Sequence, residues 1–316
     1  MLGLVANTDR RWYDYLSSIA VGGWLDEVNF WRPQSQLAVR AVSPGAPFFL
    51  RLKRPVNAIA GYGFFVTWHL LPMREAWRVF EQKNGAPTFD TFLERIASFR
   101  GGRAEELAKS TRPLGCIVLN RVHFLPPTQW IPWAAAEAWA RNIVAVKTVD
   151  LRTSPGDRLR FVIERQYEEA QEFADRFTLV ECDERRWREV PSALREGQGS
   201  FRVRLLGVYQ SRCAVTGERT LPVLDAAHIQ PYLGPESNHV QNGLVLRSDL
   251  HELFDAGYVT VTPELVVEVS RRIREEYENG REYYRFHGHR LTVVPDRVAE
   301  RPSRDALAWH AGNVYR

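Results

Sequence analysis

The stretch that most restricts what this chain can become runs from Leu224 to Gly257: "LDAAHIQPYLGPESNHVQNGLVLRSDLHELFDAG". Two apolar runs, a polar loop and a glycine stop follow one another with few residues to spare. "VLDAAHI" (223–229) has the length and composition of a strand. "LVLRSDLHELFDAG" (244–257) reads as a helix ended by Gly257. His228, Asn242 and His251 stand at the borders of these runs. A strand, a loop and a helix in that order can fold back so that the three side chains meet around one ion. Asp255 lies one turn beyond His251 on the same helical face. Asp225 and His228 face opposite sides of a regular strand, so Asp225 needs a twist or a bulge to join them.

Taken singly, these residues are ordinary. A histidine at a strand end is usually solvated, Asn-Gly is usually a turn, and "HELFD" is an amphipathic helix. Together and in order they suit phosphodiester hydrolysis, which needs a base for water, a metal for the developing charge and a group that aims the base. The run "CAVTG…LDAAHIQPY…NGLVLRSDLHELFDAG" resembles the HNH nuclease family, over roughly residues 200–275. That resemblance implies a ββα-metal unit. It casts His228 as general base, Asn242 as the residue that orients the base or touches the metal, and His251 as metal ligand. Many relatives place an acidic residue or a histidine directly before the base; here that residue is Ala227, and Asp225 is the expected substitute, with Asp255 assisting. The implied cofactor is Mg²⁺ or another divalent ion such as Mn²⁺. Cys213 stands alone, so no structural zinc is expected.

With 316 residues the chain is long for one domain and comfortable for two. A hydrophobic fraction of 45% and a charged fraction of 25% exclude wholesale disorder. A net charge of +4 and a pI near 9.0 tilt it mildly toward anionic partners. Cys116, Cys182 and Cys213 form no CxxC pair, which argues against a disulfide framework and fits a cytoplasmic protein. No apolar run reaches the length of a membrane span, and the start "MLGLVANTDRR" lacks the features of a signal peptide.

Around the nuclease-like unit, residues 200–220 hold four arginines against one glutamate. Arg202, Arg204 and Arg212, with Arg247 further on, are the expected contacts to a DNA backbone, adding affinity rather than sequence choice. Before them, residues 152–199 are rich in Arg and Glu and read as a helical connector ending in a flexible basic loop.

The first half mixes strands ("FFLRLK", "AIAGYGFFVTWHLL", "GCIVLNRVHFL", "NIVAVKTVDL") with helices ("PMREAWRVFEQKNG", "TFDTFLERIASFRGG"). Isolated glycines at 61 and 63 suggest a bulge or a close backbone approach by a ligand. "VNFWRP", "FFLRLKRPVNAIAGYGFFVTW" and "GCIVLNRVHFLPPTQWIP" resemble EVE-like modules of the PUA superfamily, over roughly 20–150. That resemblance implies a small twisted β-barrel with flanking helices that reads modified bases. Asn29, Trp31, Tyr62, Phe64 and Trp68 are the expected pocket, although aromatic residues in such a run more often belong to a core.

The combined expectation is an α+β protein with three parts. Residues 1–151 form an EVE-like, PUA-superfamily recognition domain, 152–199 the helical connector and 200–316 the HNH endonuclease domain. The function so implied is a type IV-like, modification-dependent endonuclease. It would extrude a methylated or hydroxymethylated cytosine from double-stranded DNA and cut the backbone, in defence against modified phage or foreign DNA. One HNH centre cuts one strand at a time, so a double-strand break favours a homodimer. Two other readings fit the same residues: an HNH endonuclease for unmodified or structured DNA, and a non-catalytic PUA-like nucleic-acid-binding protein.

Overall fold

The computed structural model describes residues 1–33, 42–110, 112–133, 146–164, 177–179 and 196–316. The chain divides into two compact units, Met1–Asp175 and Arg176–Arg316. Most of the expected connector helix and basic loop lies outside the described residues, as do Trp139 and Cys182. No helix among the described residues is long and apolar enough to cross a membrane.

The first unit is built on one mixed sheet of β1 (Leu2–Thr8), β2 (Trp24–Arg32), β3 (Pro47–Leu52), β4 (Ala58–Leu71), β5 (Leu114–Phe124), β6 (Ile131–Pro132) and β7 (Val146–Asp150). The strand order is β2-β5-β4-β3-β1-β7, with β6 paired to β4. Among the described residues, β1 with β3 is the one parallel pair of neighbours in the sheet. Helices α1 (Arg10–Ile19), α2 (Met73–Phe80), α3 (Phe89–Arg100) and α4 (Ala104–Lys109) connect and flank it. The α+β class is thus observed. The twisted barrel is not: among the described residues the strand path stays open from β2 to β7, and a barrel requires those two edges to pair.

Local chemistry accounts for these elements. Asp9 accepts from Trp12 N–H to start α1, and Thr88 accepts from Thr91 N–H to start α3, as its sequence position implies. The helix expected over "PMREAWRVFEQKNG" stops at Phe80, because Glu81 takes a positive φ of 42° and the chain continues as a 3₁₀ turn to Asn84. Strand β3 is buried at all six positions, as a strand paired on both sides should be. Its one charge, Arg51, donates to Asn7 Oδ1 at 2.6 Å and also bonds Asn57 Oδ1. Gly61 is needed for a close approach: a Cβ there would stand 2.5 Å from the carbonyl oxygen of His123 on β5. The expected bulge is present, since the β4–β5 register shifts between Tyr62 and Phe64. The backbone that comes close is strand β5, not a ligand.

The second unit carries α5 (Gln198–Val208), β8 (Leu224–His228), β9 (Gly243–Arg247), α6 (Ser248–Asp255), β10 (Val259–Val261), β11 (Val267–Val269), α7 (Arg272–Tyr277), α8 (Arg281–Tyr284) and α9 (Arg304–Asn313). Strands β8 and β9 pair antiparallel without interruption, from Leu224 opposite Arg247 to His228 opposite Gly243. The helix expected over 244–257 therefore starts only at Ser248. Residues 244–247 are an apolar run that finds a strand partner in β8, and tertiary pairing overrides a helical reading of so short a segment. Gly257 ends α6 as expected, at φ 78° with its N–H on Phe254 O. Strands β10 and β11 form the hairpin that "YVTVTPELVVEV" implies.

Candidate active site

The β8–β9 hairpin and α6 place His228, His251 and Asp255 around one cavity of about 290 Å³, lined also by Ala226, Tyr232 and His310. His228 closes β8. Its ring stacks on Phe201 of α5, with centroids 4.1 Å apart and 13° between planes, and its Nε2 lies 3.0 Å from Asn238 Oδ1.

His251 sits between two carboxylates. Asp225 Oδ2 is 3.6 Å from its Nδ1, and Asp255 Oδ2 is 3.4 Å from its Nε2. Asp225 gets there without a bulge, because the β8–β9 register is unbroken and α6 brings His251 to it. The hydrogen bond with His251, helped by Ser248 and Arg202, holds the Asp225 carboxyl down at about 2. For His251, burial works against the charged form, yet the bond to Asp225 and the charges of Asp255 and Asp225 outweigh it and raise the pKa. A cation is thus electrostatically welcome at His251, whether a proton or a metal.

A divalent ion fits this donor set. The two carboxylates lie at opposite ring nitrogens, so the imidazole can share an ion with one of them at a time. Among the described residues no ready-made cage of three or more His, Cys, Asp or Glu side chains exists. An ion held by one or two side chains with water completing its shell is the usual arrangement for Mg²⁺. His251 together with either Asp225 or Asp255 would hold it.

Asn242 is 1% exposed, and both ends of its amide are engaged by backbone. Its Oδ1 accepts from Gln230 N–H at 2.8 Å, and its Nδ2 donates to Gln230 O and Ser237 O, each at 3.0 Å. Of the two roles expected for it, these contacts account for positioning: Asn242 clamps the loop that leaves His228. They leave it without a contact that would make it a metal ligand.

The arginines differ from expectation. Arg202 lies 3.7 Å from Asp225 Oδ1, with its side chain 13% exposed, so it is part of the carboxylate's surroundings. Arg247 makes a bidentate pair with Asp249, at 2.6 and 2.7 Å. Arg204 is half-buried, and desolvation lowers its pKa against the pull of Glu300. Arg212 is also half-buried, its Nε enclosed without a hydrogen-bond partner. Arg202 and Arg247 are thus engaged by carboxylates of their own unit, and Arg204 and Arg212 are half-buried.

Residues 213–262 match the family model described as HNH endonuclease. The chain carries an HNH endonuclease domain. No curated protein matches the chain. Among solved structures, a mutant ZmASCH protein from Zymomonas mobilis overlaps at 10% identity with a TM-score of 0.34, covering 51% of this chain and 94% of that one. A structure described as modification dependent TagI restriction endonuclease overlaps at 14% identity with a TM-score of 0.26, covering 92% of this chain and 76% of that one. Both scores are below what a shared fold requires.

The HNH domain also draws on residues that sequence reasoning missed, two of which, Phe201 and His310, lie outside the matched segment. Phe201 supports the His228 ring from α5. His310 of α9 stacks on Phe254 at 3.7 Å and 13°, bonds Thr260 Oγ1 and Phe254 O, and lines the cavity. Asn238 precedes Asn242 in "SNHVQNG", and a second asparagine in so short a loop was the available signal.

In the first unit, a cavity of about 780 Å³ opens among the ends of β1, β2 and α3, the start of α1 and the β3–β4 turn. Trp31, Phe30 and Phe99 supply rings, and Arg32, Lys53 and Arg54 supply positive charge. Of the five expected pocket residues only Trp31 lines it, with its Nε1 donating to Asn84 O at 2.8 Å. Asn29 is fully enclosed, donating to Asn84 Oδ1 at 2.8 Å. Tyr62 and Phe64 do share a strand face, but it is the face turned into the core with Phe49, Leu125 and Trp133. Trp68 is half-buried on β4 away from the cavity, and its Nε1 lacks a partner. Alternation identified the shared face, but not which way that face points.

Proposed function

We propose that the protein is a divalent-metal-dependent DNA endonuclease directed by a modified base, methylated or hydroxymethylated cytosine being the leading class. The observation that carries the nuclease half is the convergence of His228 with the His251–Asp225–Asp255 cluster inside the HNH domain. His228 takes a proton from water as the water oxygen bonds to phosphorus; the opposite P–O bond breaks and its oxygen takes up a proton. A divalent ion, when bound by His251 with Asp225 or Asp255, would supply charge stabilisation for the phosphorane. Phe201 fixes the plane of the base, and Asn242 fixes the backbone from which it projects.

The recognition half is supported by the cavity of the first unit. Its volume falls within the roughly 300–1,000 Å³ typical of ligand pockets. Rings for stacking beside cations for a phosphate are the combination that an extruded nucleotide requires. Cytoplasmic action, a homodimer that cuts both strands and a role in defence complete the proposal.

The test is cleavage of matched duplexes carrying cytosine, 5-methylcytosine, 5-hydroxymethylcytosine or glucosylated hydroxymethylcytosine, with Mg²⁺ and separately Mn²⁺, and EDTA as control. Cutting confined to modified DNA is the expected result. Equal cutting of all four keeps the nuclease and removes the modified-base reading. No cutting, with another HNH enzyme active in parallel, leaves a nucleic-acid-binding protein.

A further inference from the structure

His228 Nε2 lies 3.0 Å from Asn238 Oδ1, and the orientation of that amide is not free to reverse. Asn238 Nδ2 donates to the Glu196 carbonyl at 2.7 Å. A carbonyl can only accept, so the NH₂ end of Asn238 must face Glu196 and the oxygen end must face the imidazole. An amide oxygen also only accepts, so Nε2 must carry the proton. In neutral histidine the other nitrogen then carries the lone pair.

We infer that Asn238 is the positioning residue that sets His228 in its Nε2–H tautomer and so makes Nδ1 the basic nitrogen. Asn242 acts on the loop backbone, whereas Asn238 acts on the ring itself. The same Glu196 carbonyl accepts from Tyr232 O–H at 3.3 Å, and Tyr232 meets the His228 ring edge-on, 6.0 Å between centroids. One backbone carbonyl, just ahead of α5, thus anchors two of the side chains that surround the base. With Phe201 stacked on the ring face, both the plane and the protonation pattern of His228 are fixed before any substrate arrives. Pre-organisation of this kind removes the chance that the base presents its N–H to the water it should deprotonate.

The tautomer assignment stands on geometry alone; only its catalytic consequence rests on the nuclease reading. Full-length protein labelled with ¹⁵N-histidine reports the tautomer directly in long-range ¹H–¹⁵N correlation spectra, with His228 assigned by its absence in His228→Gln. The expected wild-type ring is Nε2-protonated. Asn238→Ala should give a mixture of tautomers. Its kcat for DNA cleavage should fall by roughly 10- to 100-fold with KM little changed, the usual scale for losing a histidine's orienting partner. An Nδ1-protonated wild-type ring overturns the inference without any variant having to fold. So does an unchanged tautomer in Asn238→Ala. Failure of the wild-type protein to cut any DNA would sink the nuclease reading while leaving the spectra to judge Asn238.

Discussion

The two sites are assembled in opposite ways. The candidate catalytic residues of the second unit lie close in sequence, on a hairpin and the helix that follows it. The cavity of the first unit is drawn from five places in the chain, with Asn7 at one end of the sequence range and Val146 at the other. Chemistry built locally leaves a readable pattern, because spacing and neighbours both survive in the sequence. A pocket built from distant segments leaves only composition, and an aromatic residue has the same composition whether it lines a pocket or fills a core.

The largest effect that would sharpen this contrast is at His228. His228→Ala should reduce cleavage by about 10²–10⁴-fold, the usual contribution of a general base, with DNA binding unchanged in a gel-shift assay. Loss of binding in that variant would mean that the hairpin is a contact surface and that the two units are not divided as chemistry and recognition.

Next in size is acid sensitivity within the second unit. His310 is 2% exposed, and burial pushes its pKa to about 4, against its hydrogen bond to Phe254 O. Burial and Arg204 likewise push His239 to about 4. Between pH 6.5 and 4 the unfolded chain therefore binds protons that the folded unit resists. The stability due to neutral His310 is complete above pH 6.5 and is lost as pH falls toward 4, by about 3 kcal/mol at 1.36 kcal/mol per pKa unit. His251, whose pKa is raised, works in the opposite direction and above this range, where the folded unit keeps a proton that the unfolded chain releases as pH rises past 6.5. Urea denaturation of the full chain at pH 7, 5.5 and 4.5 should show the loss, and His310→Gln should flatten it. An unchanged slope in that variant would assign the acid sensitivity elsewhere.

In the first unit the matching probe is Gly61→Ala. The added methyl would press on the β5 backbone, and the expected cost is about 1–3 kcal/mol of stability. Nuclease activity on a saturating substrate should persist. If cleavage instead lost only its preference for a modified base, Gly61 would face a ligand after all.

The smallest expected effect is at the rim of the large cavity. Lys53 is exposed there, and Lys53→Ala should lower DNA affinity modestly and reduce the slope of log K against log salt by about 1. An unaltered slope would remove this rim from the DNA path.

The limits of sequence reading are physical. Strand β8, helix α6, the β10–β11 hairpin and the caps at Thr88 and Gly257 were legible, because each follows from local period or backbone preference. The start of α6 was misplaced, since "LVLR" fits either element until β8 pairs with it. Arg202 looked available for DNA, because nothing in its neighbourhood in the chain reveals that Asp225 would approach it, whereas the partner of Arg247, Asp249, stands only two residues on and was overlooked. Asn29, Tyr62 and Phe64 were expected at a ligand and are packing instead. The open sheet was not foreseen, because closure depends on edge pairing between β2 and β7, segments more than a hundred residues apart.

The stacking of Phe201 under His228 and of His310 on Phe254 has a consequence for portability. A recombination event or a graft that carried only the recognisable segment 213–262 would bring every proposed metal-binding side chain and still leave behind both the floor beneath His228 and the wedge behind the helix. The smallest piece that could travel to another protein as a working nuclease must begin ahead of α5 and extend through α9. Heredity of the activity is therefore tied to a block of chain more than twice as long as its signature.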